Sequence, residues 1–143
     1  MANVLDVANY ILSSLGPMSA MKLQKLVYYA QAWSLVWDER PLFEEPIQAW
    51  ANGPVAPRLY ANHRGSFEVT SDMIGGDIST LDGTARDTID SVLSFYGDKS
   101  AQWLSDLTHN ERPWIDARAG LGPGERGATV ITPAAMAEYY ASL

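Results

Sequence analysis

The stretch SAMKLQKLVYYAQAWSLVWD, residues 19–38, decides the fold. It holds no Pro or Gly, while Gly16 and Pro17 stand just before it and Pro41 just after. Apolar residues recur at Met21, Leu23, Leu26, Val27, Ala30, Trp33, Leu35, Val36 and Trp37. The spacing is helical and its spread around the axis is wide, which predicts a helix wrapped by the rest of the chain. Ser19 is placed to cap it, its hydroxyl accepting an amide that the first turn leaves free. At about 1.5 Å per residue the helix spans roughly 30 Å, the width of a small domain. Its polar exceptions include Lys22, Lys25, Gln31 and Ser34. Lys22 and Lys25 lie three apart on one ridge and are expected to face solvent or a partner. Of the adjacent Tyr28 and Tyr29, one is expected inside and the other partly outside.

Outward from this segment, residues 3–15 read as a first helix. Val4, Ala8, Ile11, Leu12 and Leu15 form its apolar face, Asn3 is its cap and Gly16-Pro17 its stop. Residues 40–51 change character, because Pro41 and Pro46 exclude helix. Residues 42–43 and 47–51 are strand candidates with Glu44-Glu45 at a turn. Asn52-Gly53-Pro54 is a break, and residues 55–63 read as a short helix. Residues 65–83 are read mostly as loop, with a strand candidate at 67–70. A loop of this length is functional or mobile. Helices are expected at 83–97, 100–107, 113–119 and 134–143, with Thr132-Pro133 as cap and first turn of the last. Residues 108–110 break the pattern, 120–127 form a Gly-rich loop, and 129–131 a short strand. The expectation is a single α+β domain over residues 1–143, predominantly helical, with a long buried central helix and a small sheet of short strands.

Hydrophobic residues make up 47% of the 143-residue chain and charged ones 19%, a balance that favours a globular fold over disorder. The formal charge is -7, from 10 Lys and Arg against 17 Asp and Glu. That argues against broad nucleic-acid binding, which needs cations to replace condensed counterions. It suits a basic protein partner, although solubility alone accounts for it. The absence of Cys excludes disulfides and thiolate chemistry. No basic n-region opens the chain and no apolar run is long enough for a membrane span, so a cytoplasmic protein is expected.

The chemistry-bearing residues are sparse. His63 and His109 are the only histidines and lack zinc-ligand spacing. His109 lies near Ser105 and Thr108, but sequence proximity assigns no catalytic role. Residues 120–127, GLGPGERG, lack the phosphate-loop ending, and Pro123 removes an amide donor. The pairs Glu44-Glu45 and Asp38-Glu39 have no second cluster to form an acid/base couple. Arg112 and Arg118 flank Trp114, which either forms a cation–π patch or packs into the core. Read from its residues alone, the chain is a binding module in preference to an enzyme, with no cofactor or metal.

Three segments in order carry a resemblance: MSAMKLQKLVYYAQAW at 18–33, PLFEEPIQAWANGPVAP at 41–57 and LSDLTHNERPWIDAR at 104–118. Together they resemble the Panacea domain, the SocA-type antitoxin family related to a phage-associated protein group. The final ITPAAMAEYY is similar to that family's closing strand and helix, so the resemblance covers essentially the whole chain. It implies an antitoxin of a bacterial or prophage toxin–antitoxin system. Such a protein neutralises a cognate toxin, encoded nearby, by direct protein–protein binding. The toxins implied are alarmone-synthetase-like or otherwise translation-targeting, with no nucleic acid or membrane as partner. Within the matching segments, Leu23, Leu26, Trp33, Leu104 and Gly53-Pro54 are expected to serve the fold. Partner-binding candidates are Lys22, Lys25, Tyr28 and Gln31 on the central helix. Trp50, Asn52 and Val55 join them around the Gly-Pro turn, with Thr108, His109, Trp114 and Arg118. The alternatives are a proteolytic adaptor that delivers its bound partner to a protease and, more remotely, a small hydrolase using His109.

Overall fold

The computed structural model describes residues 2–143. Its centre is helix α2, Ala20–Trp37, capped by the Ser19 hydroxyl on the Lys22 amide. The first helix, α1 (Val4–Leu15), starts in a capping box. Asn3 accepts from the Leu5 and Asp6 amides, and Asp6 accepts from the Asn3 amide. Val4, Val7, Ala8, Ile11 and Leu12 of α1 are buried against the core. Leu15, placed on the same face by periodicity, stands 43% exposed where the helix runs out.

Two short strands follow α2, β2 (Ile47–Trp50) and β3 (Gly53–Val55), while β1 (Met18–Ser19) precedes it. Beyond them come α3 (Pro57–His63), β4 (Glu68–Val69), α4 (Ser71–Ile74) and a 3-10 turn at Ile78–Thr80. Then α5 (Gly83–Tyr96), α6 (Ala101–His109), α7 (Arg112–Ala117), β5 (Val130–Ile131) and α8 (Pro133–Ala141) complete the order. All pairings are antiparallel. β1 pairs with β4, and β2 is the middle strand between β3 and β5. The architecture is α+β and mostly helical, as the sequence predicts.

α2 is enclosed by α1, α5, α6, α8 and β3. Leu23, Leu26, Val27, Ala30 and Ala32 are buried along it. Each large aliphatic side chain fully buried there is worth about 1.5–3 kcal/mol relative to exposure. Tyr28 and Tyr29 are both inside, correcting the expectation that one reaches the surface. Successive helical positions diverge by about 100°, but α5 and α8 cover adjoining faces. Tyr29 stacks on Tyr96 of α5 with ring centres 4.2 Å apart, and Tyr140 of α8 meets both tyrosines edge-on.

Further departures have local causes. Leu42 and Phe43 are buried without being a strand, because Gln31 of α2 holds their backbone in place of a neighbouring strand. Gly53, Pro54 and Val55 are not a break leading into a helix but the return strand of a hairpin, in register Trp50↔Gly53 and Gln48↔Val55. α6 continues through Thr108 and His109, residues expected to interrupt it. Trp103 of α6 is 41% exposed.

Residues 65–83, read mostly as loop, contain β4, α4 and the 3-10 turn. They are pinned to α1. Asp6 accepts from the Asp77 amide at 2.7 Å and the Thr80 hydroxyl at 2.9 Å, and Asn9 donates to the Gly76 carbonyl at 2.7 Å. Gly76 lies so close to α1 that a Cβ there would sit 2.2 Å from the Leu5 carbonyl oxygen. Backbone cannot yield as a flexible side chain does, so Gly76→Ala is expected to cost about 1–3 kcal/mol in urea unfolding. Gly83→Ala, with open space around the added methyl, serves as the control and should not destabilise. Equal stability of the two variants would contradict this packing.

Candidate functional site

Because α2 is enclosed, each polar side chain on its buried faces needs a partner inside the protein. Gln31 accepts from the Leu42 amide at 2.7 Å and donates to the Phe43 carbonyl at 2.8 Å. Gln24 does the same for both backbone groups of Ala56 and lies 2.9 Å from His63 Nε2. Ser34 donates to the Arg40 carbonyl at 2.8 Å. Tyr29 donates to Glu111 Oε1 at 2.6 Å, and Tyr140 donates to the same oxygen at 2.7 Å. The Tyr28 hydroxyl lies 3.0 Å from that of Tyr140. Burial pushes the Glu111 carboxyl up, and the two phenol donors partly offset it.

Lys25 is the exception. It is 2% exposed, and among the described residues no carboxylate lies within salt-bridge distance of its amine. Burial alone lowers its pKa to about 8. The side chain runs beneath the β2–β3 hairpin. A Cβ on Gly53 would sit 2.4 Å from Lys25 Cε and 2.9 Å from its amine, and Gly53 has φ 122°. Two demands therefore select glycine there: a positive φ and room for the lysine.

Behind the hairpin, α6 and α7 brace it. Ser105 donates to the Asn52 carbonyl at 3.3 Å, and Trp114 Nε1 donates to the Trp50 carbonyl at 2.8 Å. Arg118 is buried, donates to the Ala49 carbonyl at 3.0 Å and to the Glu125 carbonyl at 2.6 Å, and lies over Trp114 at 5.3 Å. Arg112 instead pairs with Asp116 at the surface. His109 packs on Trp114 with ring centres 4.2 Å apart, and its Nε2 is buried without a hydrogen-bond partner among the described residues. Desolvation, and secondarily the charge of Lys25, lower the His109 pKa.

In front of the hairpin is a cavity of about 750 Å³. Lys25, Trp50, Asn52 and Val55 all line it, so four of the residues singled out in the sequence meet at one place. Tyr28, Gln31, Thr108 and Arg118 are buried with internal partners. Lys22 is half-buried, and His109 and Trp114 stand behind the hairpin. The burial of Lys25 corrects the expectation that both lysines lie on an open ridge. Sequence reading missed Gln24, Gln48, Tyr60, His63, Arg64 and Arg126, which also line the cavity. They come from α2, β2, α3 and the residue after it, and the loop after α7, and no spacing in the chain announces their convergence. Lys25, Arg64 and Arg126 supply positive charge, and among the described residues no Asp or Glu lines the cavity.

The profile of the antitoxin SocA-like family, Panacea domain, matches residues 23–115. This chain belongs to that family. The matched span carries most of α2, both hairpin strands, α6 and the first part of α7. Antitoxin SocA of Caulobacter vibrioides (strain NA1000 / CB15N) is 33% identical over 134 residues, covering 82% of this chain and 70% of that protein. No solved structure gives a significant match. Among the described residues of this Panacea domain, no helix is long and apolar enough to cross a membrane.

The lysine gives the Panacea domain a pH signature. Unfolded, its amine titrates near pH 10.4, roughly the model-peptide value. Folded, it titrates near 8. Below pH 8 both states carry the charge and the desolvation penalty is complete. Between these values the unfolded chain binds the extra proton, so stability rises with pH. Above about pH 10 the buried tyrosines, whose pKa values are raised, act in the opposite direction. In urea unfolding, the wild type should gain stability relative to Lys25→Met between about pH 8 and 10, by at most about 3 kcal/mol. Parallel pH profiles for the two proteins would refute an uncompensated buried amine.

Proposed function

We propose that this chain is the antitoxin of a bacterial or prophage toxin–antitoxin pair and neutralises its toxin by direct contact. Membership of the SocA-like antitoxin family carries the reading. The contact face proposed is the hairpin with the cavity before it. Trp50 supplies a half-buried aromatic anchor, and Asn52 is exposed at the hairpin tip. Interfaces draw most of their binding energy from a few such anchors in desolvated pockets. The scaffold that presents them is stiff, because the hairpin is braced from behind by Ser105, Trp114 and Arg118. A rigid face loses less conformational entropy on binding.

A neutraliser of this kind works by occluding its target and needs no catalytic group of its own. The toxin proposed is the product of a neighbouring gene, and an alarmone-synthetase-like or other translation-targeting enzyme fits the resemblance. The net charge of -7 suits a toxin that carries a basic nucleotide- or RNA-binding surface. Cytoplasmic residence follows from such a target.

Co-expression with the neighbouring gene product, followed by pull-down and a growth assay, tests the reading. The expected result is a stable complex and restored growth. Asn52→Glu should weaken the complex by about tenfold or more while leaving thermal stability unchanged, since it alters an exposed side chain without disturbing the hairpin. A neighbour that is harmless alone, or that forms no complex, would contradict the reading. Rescue accompanied by a shortened toxin half-life would replace it with delivery to a protease.

A further inference from the structure

The cavity in front of the hairpin combines three features that a protein contact face does not require. First, it is lined by Lys25, a residue only 2% exposed, whose amine has no anionic partner among the described residues. Burying a charge is costly unless something of opposite sign meets it. Second, the positive charge is concentrated: Lys25, Arg64 and Arg126 line the cavity and among the described residues no carboxylate does, in a chain whose overall charge is -7. Third, two aromatic rings form an angled wall. Trp50 and Tyr60 lie 4.9 Å apart with their planes inclined at 69°, and beside them are the amides of Asn52 and of Gln48, whose oxygen accepts from Trp50 Nε1.

Each feature selects a chemical group. Ammonium and guanidinium groups bind phosphate through charge-assisted hydrogen bonds. Aromatic faces take up flat rings, and amides pair with their polar edges. At about 750 Å³ the cavity falls in the range of roughly 300–1,000 Å³ that suits small-molecule ligands. That is far more room than one inserted side chain fills. We propose that the cavity binds a small anionic molecule of the mononucleotide class, its phosphate at Lys25, Arg64 and Arg126 and its ring against Trp50 and Tyr60. The ligand supplies the missing counter-charge of Lys25. Because it occupies the face assigned to the toxin, its binding would compete with or complete that contact, yet the site exists without the toxin.

Titration calorimetry of the isolated protein with AMP, GMP and UMP tests this, with adenosine and inorganic phosphate as controls. At least one nucleotide is expected to bind saturably, and adenosine, lacking the anion, at least about tenfold more weakly. Lys25→Met, which keeps the stem and removes the charge, should weaken nucleotide binding about tenfold or more. Arg64→Gln and Arg126→Gln alter exposed residues, so they carry the test if Lys25→Met fails to fold. No nucleotide binding, equal affinities for the wild type and all three variants, or inorganic phosphate binding as tightly as AMP would each overturn the proposal. So would an acidic peptide that binds where no nucleotide does. Since no toxin is present, failure here leaves the antitoxin reading untouched.

Discussion

From Leu23 to Ala32 every residue of α2 is buried, so the polar side chains there depend on the fold for their partners. This constraint places segments far apart in sequence. Gln31 fixes the extended stretch around Leu42 and Phe43, and Gln24 fixes the entry to α3. Tyr29 draws in Glu111, which also receives Tyr140 from the last helix. A buried polar group left unpaired costs about 1–3 kcal/mol, so these contacts act more as requirements than as gains. Lys25 is the one position on α2 where the requirement is unmet, and there the hairpin and the cavity are built around the side chain.

The hairpin shows how one residue can serve both structure and site. Gly53 gives the chain its positive φ and leaves space for Lys25 beneath it. Ser105, Trp114 and Arg118 bind backbone carbonyls of the hairpin from behind, which leaves its front free. Two of those residues, Trp114 and Arg118, carry the appearance of a recognition patch in sequence. Their Nε1 and guanidinium groups are instead spent on Trp50 and Ala49. His109 is held in the same layer, against Trp114, with a depressed pKa.

Much of the fold was legible because its signals are local. The caps at Asn3, Ser19 and Thr132 lie next to the helices they start, whereas Asp82, which caps α5, went unread. Periodicity located α1, α2 and α5 for the same reason. What stayed hidden depends on distant contacts. The hairpin return through Gly53-Pro54-Val55 looks like a break until β2 is beside it. The order of residues 65–83 comes from Asp6 and Asn9, some seventy positions earlier. Lys25 looks like a surface lysine, since nothing in its own helix reveals that β3 and α6 will cover it. For the site, Trp50, Asn52 and Val55 were legible from the matching segment. Arg64, between the helix read at 55–63 and the loop read at 65–83, and Arg126, in the Gly-rich loop, were not.

The covered, unpaired amine of Lys25 links the architecture of α2 to the cavity. It can be observed directly by NMR titration of the Lys25 side chain in isotopically labelled protein, assigned by comparison with Lys25→Met. Midpoint ionisation near pH 8 is the expected result. A midpoint at the ordinary lysine value, near 10.4, would mean that the amine is solvated or already paired. The uncompensated charge beneath the hairpin would then not exist.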